Sequence, residues 1–348
     1  YSNVNYALLA SVVERVSGMP FVDFMRSWLE VVRPNLGPTT FGGYQNMVER
    51  KFIPYFEPKH LSLAMVQAKD LQSFYLHEGR TLSGMTVRHE HALLHKMLKY
   101  AYRMDLIPQN PADKVDPPRT ERFEGTALTE EELTKLIETS WDHKLGLLIY
   151  MTALLGLRRS EVLGLRWQAV NFDDNTIVIN HTVTEATIDG KKTIIAANRT
   201  KTKSSYRSFP MSETVREKLL EWRAIQAENR RICGNCYNTA DSDYIFTDEM
   251  GNLFKPRYIE DAFPKLVEKA GIRRIRFHDL RHTCASLMHK KGLSPKEVQD
   301  YLGHSTVAVT LNIYTHLDWS NKKSAVGAME SVVKVPEKRG VSGKMNTP

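Results

Sequence analysis

The 348-residue chain has few cysteines, no long apolar run and no surplus of acidic residues. Its three cysteines cannot form a disulfide framework, which favours a reducing, cytoplasmic environment. The longest uncharged apolar run, residues 145–157, has only thirteen residues, too few to cross a bilayer as a helix. No signal peptide, internal repeat or low-complexity segment is recognisable. A globular protein without a membrane partner is therefore expected, with residues 145–157 forming a buried helix.

The positive charge is concentrated rather than evenly spread. The formal net charge is +8 and the pI is about 9.2. Residues 191–231 hold eleven Lys or Arg against four Glu, and residues 265–296 hold nine against two acids, whereas residues 21–118 are close to balanced. Two basic segments of this kind favour an anionic partner, above all nucleic acid.

Periodicity and composition divide the chain into two domains. Residues 21–110 show helical spacing throughout, and residues 111–126 are rich in proline and charge, which is typical of a linker. In residues 127–320, helical segments surround "TIVINHTV", "KTIIAAN" and "YRSFP", with a turn signal at Asp189–Gly190. These three segments predict a small three-stranded antiparallel sheet. The expected class is mainly α with an α+β second domain.

The segment "RIRFHDLRHTCASLMHK" places His278 and His282 four residues apart, on one face of a helix. A zinc protease would have Glu after the first histidine, but Asp279 stands there. Four arginines also crowd the segment and would repel a cation: Arg273, Arg274, Arg276 and Arg281. An anion site is therefore favoured over a metal site. The loop pair Cys233 and Cys236 is half a zinc site, and a loop metal remains an open alternative there.

In "GLRRSEVLGLRW", Arg158 shares a helical stripe with Glu161, Val162 and Leu165, whereas Arg159 shares its stripe with Leu163 and Arg166. Arg158 should therefore point inward and Arg159 outward. An inward arginine needs either a carboxylate or a bound anion as its partner, and both remain open at this point.

Four segments, "GLRRSEV", "RTKTKSSYRSFP", "HDLRHTCAS" and "LGHSTVAVTLNIYTH", resemble the catalytic boxes of the tyrosine recombinase (phage integrase) family, most closely integrases of conjugative transposons. The resemblance extends from residue 21 to about residue 320. It implies a helical SAM-like core-binding domain at 21–110 and a catalytic domain at 127–320, which together clamp double-stranded DNA. The implied activity is site-specific cutting and rejoining of DNA through a 3′-phosphotyrosine, without metal or cofactor, for integration and excision of a mobile element.

The resemblance also implies roles for individual residues. The catalytic set is Arg158, Lys201, His278, Arg281, His304 and Tyr314, with Glu161 in support. The DNA-binding set is Lys203, Arg207, Arg273, Arg274 and Arg276. Two guanidiniums suit the charge that develops on a phosphoryl group under attack. A tyrosine with a pKa near 10 is ionised in only about one molecule in a thousand at pH 7, so the nucleophile needs a base. Lys203 is the alternative to Lys201 as general acid.

The two ends of the chain carry separate expectations. In residues 321–348, Ala325, Met329, Val332 and Val333 form one apolar stripe on a predicted short helix. The resemblance implies a homotetramer on DNA in which this tail is exchanged with a neighbouring protomer. Residues 1–20 resemble the Tyr-Ser-Asn segment of penicillin-recognising serine hydrolases, without the preceding nucleophile box, and stay unassigned. An integrase that lacks its arm-binding domain is therefore expected.

Two other functional classes remain open from the sequence. A type IB topoisomerase shares the strand-cutting chemistry but would not exchange strands between two sites. A catalytically idle DNA-binding relative is expected to lack at least one of the six catalytic side chains, and none is missing here. An excisionase or a DNA-bending accessory protein is a further expected partner.

Overall fold

The computed structural model describes residues 18–119, 127–198 and 207–303. The predicted class, mainly α with an α+β second domain, is confirmed. Within residues 18–119, five α-helices form the N-terminal domain: α1 Phe21–Val32, α2 Pro38–Met47, α3 Ile53–Phe56, α4 Ala68–Glu78 and α5 Gly84–Arg103. Aromatic rings fill its core, where Phe52 and Phe74 meet edge to face with their centroids 5.5 Å apart. Such an edge-to-face contact places the positive rim of one ring against the negative face of the other.

Residues 38–56, within the segment of predicted helical spacing, form a continuous helical stretch that is locally widened. A π-helical turn, Val48–Phe52, connects α2 to α3. Pro54 lies in the first turn of α3 and has no N–H to donate, so the regular hydrogen-bond ladder cannot pass through it. A widened turn immediately before a proline accommodates this lost donor.

The packing of the N-terminal domain continues past residue 110. A 3₁₀ turn, Pro111–Lys114, follows α5, and the side chains of Ala112 and Val115 are buried in the same aromatic core. Asn110 caps this turn by accepting the Ala112 N–H at 3.0 Å. The first residues of the proline-rich segment thus belong to the helical domain, and the segment can act as a linker only beyond them.

The described part of the C-terminal domain, residues 127–198 and 207–303, contains seven α-helices: α6 Glu130–Ser140, α7 Gly146–Leu155, α8 Arg159–Leu163, α9 Glu213–Cys233, α10 Pro256–Lys269, α11 Asp279–Lys290 and α12 Pro295–Leu302. Helix α7 is buried on nearly all sides, as its apolar run predicts. Helix α12 begins with the predicted capping box between Ser294 and Glu297 and ends at Gly303, which has a φ of 65°. No helix in the described ranges is both long and apolar enough to span a membrane.

The strands form two sheets instead of the single predicted sheet. Strands β1 Val170–Asn171, β2 Thr176–Ile179 and β5 Arg207–Pro210 pair antiparallel in the order β1-β2-β5. Strands β3 His181–Ile188 and β4 Lys191–Asn198 form a separate hairpin. The segment "TIVINHTV" therefore divides at Asn180. Ile177 and Ile179 of β2 and Val183 of β3 are buried in the core of the C-terminal domain, whereas Ile188 at the end of β3 packs against the N-terminal core.

The tip of the β3–β4 hairpin contacts the N-terminal domain. Arg33 Nη2 donates to Asp189 Oδ2 at 2.8 Å. Gln45 donates to Asp189 Oδ1 at 2.8 Å and accepts the Asp189 backbone N–H at the same distance. Ile188 packs against the N-terminal core. The predicted Asp189–Gly190 turn is thus also a contact between domains.

Candidate active site

Glu161 is the fully buried carboxylate at the centre of the site. Its Oε1 accepts Arg158 Nη1 at 2.6 Å, and its Oε2 accepts the Arg158 backbone N–H at 2.9 Å. Oε2 also accepts Arg207 Nη2 at 2.7 Å and lies 3.9 Å from Arg281 Nη1. A buried carboxylate is tolerable only with close cations and hydrogen-bond donors, and Glu161 has both.

Arg158 and Arg159 turn in different directions, as the helical stripes predict. Arg158 is the N-cap of α8 and directs its guanidinium to Glu161 with one-third of the side chain exposed. Arg159 forms its ion pair with Glu260 on α10, at the protein surface. Arg158 therefore has both a carboxylate partner and an exposed edge that an anion can reach.

Arg281 is almost completely enclosed. Its Nη1 donates to the Gly156 carbonyl and its Nη2 to the Leu302 carbonyl, each at 2.6 Å. Gly156 ends α7 with a φ of 60°, and an added Cβ there would lie 2.2 Å from Leu302 Cδ2, so this position requires glycine. Burial, and secondarily Arg158, lowers the pKa of Arg281 to about 9, which leaves it protonated at pH 7.

Three arginines meet the last carbonyls of α12 in succession. Arg207 Nη1 donates to the Tyr301 carbonyl at 3.3 Å, Arg281 Nη2 to Leu302 at 2.6 Å, and Arg158 Nη2 to Gly303 at 3.4 Å. The final carbonyls of a helix have no intrahelical donor and carry its negative dipole end. The arginines satisfy these carbonyls, and α12 in turn fixes the arginines beside Glu161.

His278 is the N-cap of α11, one turn before Arg281, and keeps an exposed edge. Its ring lies edge to face with that of His282, with centroids 5.1 Å apart, so the two rings share one helix face as predicted. Partial burial, followed by the nearby His282 and Arg281, lowers the pKa of His278 to about 4. The imidazole is therefore neutral at pH 7 and able to accept a proton.

An open groove of about 570 Å³ runs past these residues. Its lining includes Arg158, Arg159, Glu260, Arg276 and His278. The groove thus combines cationic side chains with a neutral imidazole, a suitable environment for a phosphodiester.

The predicted DNA-binding arginines occupy different positions. Arg276 binds Asp279 with Nη2 at 2.7 Å and Nε at 3.2 Å and remains more than half exposed. Arg273 donates to Glu132 at 2.9 Å and is also accessible, and Arg274 is exposed. Arg207 differs, because its side chain is buried against Glu161.

Four predicted residues lie outside the described part of the chain: Lys201, Lys203, His304 and Tyr314. The structure nevertheless describes the residues next to them. Arg207 begins β5 directly after the segment that contains both lysines, and Gly303 precedes His304. Within the described ranges, the predicted catalytic and supporting residues Arg158, Glu161, His278 and Arg281 meet at one place, and Arg207, predicted to bind DNA, joins them there through Glu161.

The structure also describes the residues of the two metal sites considered from the sequence. No group of three His, Cys, Asp or Glu side chains able to hold a metal ion occurs within residues 18–119, 127–198 and 207–303. Cys233 Sγ lies 3.4 Å from the Glu249 carbonyl oxygen and 3.7 Å from Met250 Sδ, and Cys236 is exposed.

Comparison with known families identifies the arrangement. Residues 126–321 match the phage integrase family, and residues 20–77 match the N-terminal SAM-like domain of phage integrases. The chain belongs to the phage integrase family. The predicted family is thus confirmed, and the protein is a tyrosine recombinase, an enzyme of site-specific DNA recombination.

Individual members of the phage integrase family resemble the chain over most of its length. It is 30% identical to a XerC-like tyrosine recombinase of Caldanaerobacter subterraneus subsp. tengcongensis, covering 89% of this chain and 82% of the relative. Identity to the ICEBs1 integrase of Bacillus subtilis is 24%, covering 80% and 76% of the two chains. The fold matches the Tn1549 transposon integrase in complex with a circular intermediate DNA, with a TM-score of 0.72 at 21% identity, over 89% and 99% of the two chains.

Proposed function

We propose that this recombinase cuts and rejoins DNA at specific sites through a covalent bond between Tyr314 and a 3′ phosphate, so that a mobile element is integrated and excised. The observation that carries the proposal is the pair Arg158 and Arg281, fixed side by side around buried Glu161 and next to neutral His278. Arg158 can offer its exposed edge to a phosphate oxygen, and buried Arg281, whose two Nη atoms bind carbonyls, adds its positive charge close behind.

In the proposed cleavage step, the Tyr314 hydroxyl oxygen attacks phosphorus while the bond to the 5′ oxygen breaks. His278 accepts the phenol proton, and Lys201 gives a proton to the departing 5′ oxygen. Arg158, Arg281 and His304 stabilise the negative charge on the non-bridging oxygens. A new 5′ hydroxyl then attacks the phosphotyrosine and reverses the same proton transfers, so no external energy source is needed.

His278 suits the role of base once DNA is bound. In the free protein its low pKa makes it a weak base, because burial, and then His282 and Arg281, disfavour a positive charge on the ring. A bound phosphodiester brings a negative charge beside the ring and favours its protonated form. Substrate binding would therefore raise the basicity of His278 at the moment when a proton must be accepted.

We further propose that the protein binds double-stranded attachment sites as a homotetramer. Lys203, Arg273, Arg274 and Arg276 would contact the DNA backbone, and residues 321–348 would bind to a neighbouring protomer. Assembly of more than one protomer on DNA has a parallel in λ integrase, which has been solved as a dimer bound to a core site. The proposed location is the cytoplasm, where the DNA is. The proposed accessory partner is an excisionase or a DNA-bending protein.

The decisive experiment uses a nicked suicide substrate that traps the covalent adduct. The native chain should form a protein–DNA adduct stable in a denaturing gel, in the presence of EDTA. Tyr314→Phe removes only the phenol oxygen, so it should bind the substrate normally and form no adduct. An adduct with the phenylalanine variant would refute Tyr314 as nucleophile, and loss of the native adduct in EDTA would refute the metal-free mechanism.

A further inference from the structure

Arg207 lies in the interior of the site, although its sequence context predicts contact with DNA. It is the first residue of β5 and pairs with Ile179 of β2, the buried strand of the catalytic core. Only 6% of its side chain is exposed. Its guanidinium donates to Glu161 Oε2 at 2.7 Å and to the Tyr301 carbonyl at 3.3 Å. A side chain in this position cannot lie on a phosphate backbone without leaving both partners.

The contacts of Arg207 place it behind the residues proposed to bind phosphate. Glu161 divides its two oxygens between Arg158, through Oε1, and Arg207, through Oε2. With Arg207 present, Glu161 Oε2 is held 3.9 Å from Arg281 Nη1, close enough for attraction but beyond hydrogen-bond distance. Without Arg207, Glu161 Oε2 would lose its closest guanidinium and be drawn toward Arg281. This shift of Glu161 would move both Arg158 and Arg281.

A second contact acts on the same residues from the other side. Arg207, Arg281 and Arg158 bind the carbonyls of Tyr301, Leu302 and Gly303 respectively. Arg207 also lies over the ring of Phe209, which meets the Tyr301 ring edge to face at 4.9 Å. The end of α12 is therefore joined to β5 through Arg207, and this end leads directly into His304.

We propose that Arg207 is a positioning residue for the recombination reaction: by holding Glu161 and the end of α12, it sets the orientation of Arg158 and Arg281 toward the scissile phosphate. The inference rests on the proposed roles of Arg158 and Arg281. It replaces the DNA-binding role predicted for Arg207 from sequence. Arg207 touches no reacting atom in this scheme and acts only through its neighbours.

Two measurements distinguish positioning from DNA contact. Arg207→Met keeps the apolar stem and removes the charge. In single-turnover reactions on the suicide substrate, it should lower the rate of adduct formation at least tenfold. The dependence of DNA affinity on salt should stay unchanged, whereas loss of a phosphate contact would reduce the slope of log affinity against log salt by about one. A reduced slope with a normal adduct rate would overturn the proposal.

A double-mutant cycle with Glu161→Gln tests whether Arg207 acts through Glu161. If it does, the double variant should be no slower than the slower single variant. Rate losses that simply multiply would overturn the proposal. Arg207→Lys retains charge but not the two-directional fork, so it should fold normally and lie between native and Arg207→Met in rate. A native rate for the lysine variant would contradict the need for both Arg207 contacts.

Two reference variants complete the design. Arg231→Met makes the same change at an exposed Arg–Glu pair, with Glu228, and should alter neither the adduct rate nor the salt slope. Arg158→Lys reports on the underlying site. If Arg158→Lys cleaves normally, the proposed active site fails; if Arg158→Lys is slow and Arg207→Met is not, only the positioning role fails.

Discussion

Gly42 and Thr187 approach each other across the two domains so closely that a Cβ added to Gly42 would lie 2.6 Å from the Thr187 carbonyl oxygen. Gly42 is on α2, and Thr187 is near the tip of the β3–β4 hairpin. The ion pair between Arg33 and Asp189 lies beside this contact. The β3–β4 hairpin thus connects the N-terminal domain to the catalytic core, next to which β3 begins.

Gly42→Ala should separate the hairpin from α2, because the new methyl group cannot fit without a backbone shift. Gly43→Ala is a matched control, since no atom lies within 4 Å of its added Cβ. Both changes improve helix propensity by roughly 1 kcal/mol. Only Gly42→Ala should increase amide hydrogen exchange in β3 and β4. Equal exchange in the two variants would mean that the contact does not hold the domains together.

Part of this architecture follows from local sequence, and part does not. The stripe shared by Arg158 and Glu161 and the capping box of Ser294 depend on residues three apart, so helical spacing predicts them. The Asp189–Gly190 signal predicts a turn but not its contact with Arg33, which is 156 residues away. Such contacts depend on how whole elements pack.

Arg207 illustrates the same limit within the site. A basic residue in a basic segment is usually exposed, and the family resemblance implies that Arg207 contacts DNA. Its pairing with Glu161 spans 46 residues and depends on the register of β5 against β2. The division of "TIVINHTV" at Asn180 is also set by tertiary packing. The residues of β2 and of β3 both have strand composition, so local sequence does not show where one strand ends and the next begins. The local sequence carries one signal of the burial of Arg207, because every second residue of a strand faces the same side of the sheet. Arg207 and Phe209 therefore lie on the same, buried face of β5.

Arg158→Lys should lower the single-turnover cleavage rate by about two to three orders of magnitude, as expected when a transition-state donor is lost. A lysine offers a point charge and cannot bind Glu161 and a phosphate oxygen with one planar group. The adjacent Arg159→Lys changes only a surface pair with Glu260 and should cost less than about fivefold. Equal losses at the two positions, measured on the suicide substrate, would contradict the assigned orientations.

The tail can be tested by one pair of substitutions. Met329→Glu places a charge on the predicted apolar stripe, whereas Ser331→Glu places the same charge off it. If the stripe binds a neighbouring protomer, Met329→Glu should weaken assembly on DNA, measured by light scattering, and Ser331→Glu should not. Removal of residues 321–348 should have the same effect as Met329→Glu without unfolding the monomer. Normal assembly and recombination by the truncated chain would make the tail dispensable.

His278 should show an unusual titration in the free protein. Because its pKa is lowered to about 4, its imidazole should remain neutral when the pH falls through the ordinary histidine range near 6.5. NMR of ¹³C-labelled histidine can follow this, with the signal assigned by its loss in His278→Gln. Duplex DNA should raise the midpoint, because a nearby phosphate favours the imidazolium. A midpoint near 6.5 without DNA would contradict the environment described here.

Glu90, in the N-terminal core, should make the protein less stable as pH rises. It is 2% exposed, and its Oε2 has no hydrogen-bond partner in the part of the chain that the structure describes. Burial, and then the charge of Glu78, raises its pKa from 4.5 to about 7. The folded state therefore binds this proton more tightly than the unfolded state. The contribution of Glu90 to stability is therefore fully present below pH 4.5, is lost as the pH rises toward 7, and changes no further above it.

Glu90→Gln removes this titration while keeping the shape of the side chain. It should raise the free energy of unfolding in urea by on the order of 2 kcal/mol at about pH 8 and by little at about pH 5. Glu57→Gln, at an exposed position, should have the same small effect at both pH values. If Glu90→Gln instead destabilises the protein equally at both, the carboxyl group is needed for packing with Lys51 and Glu78, and its ionisation does not limit stability.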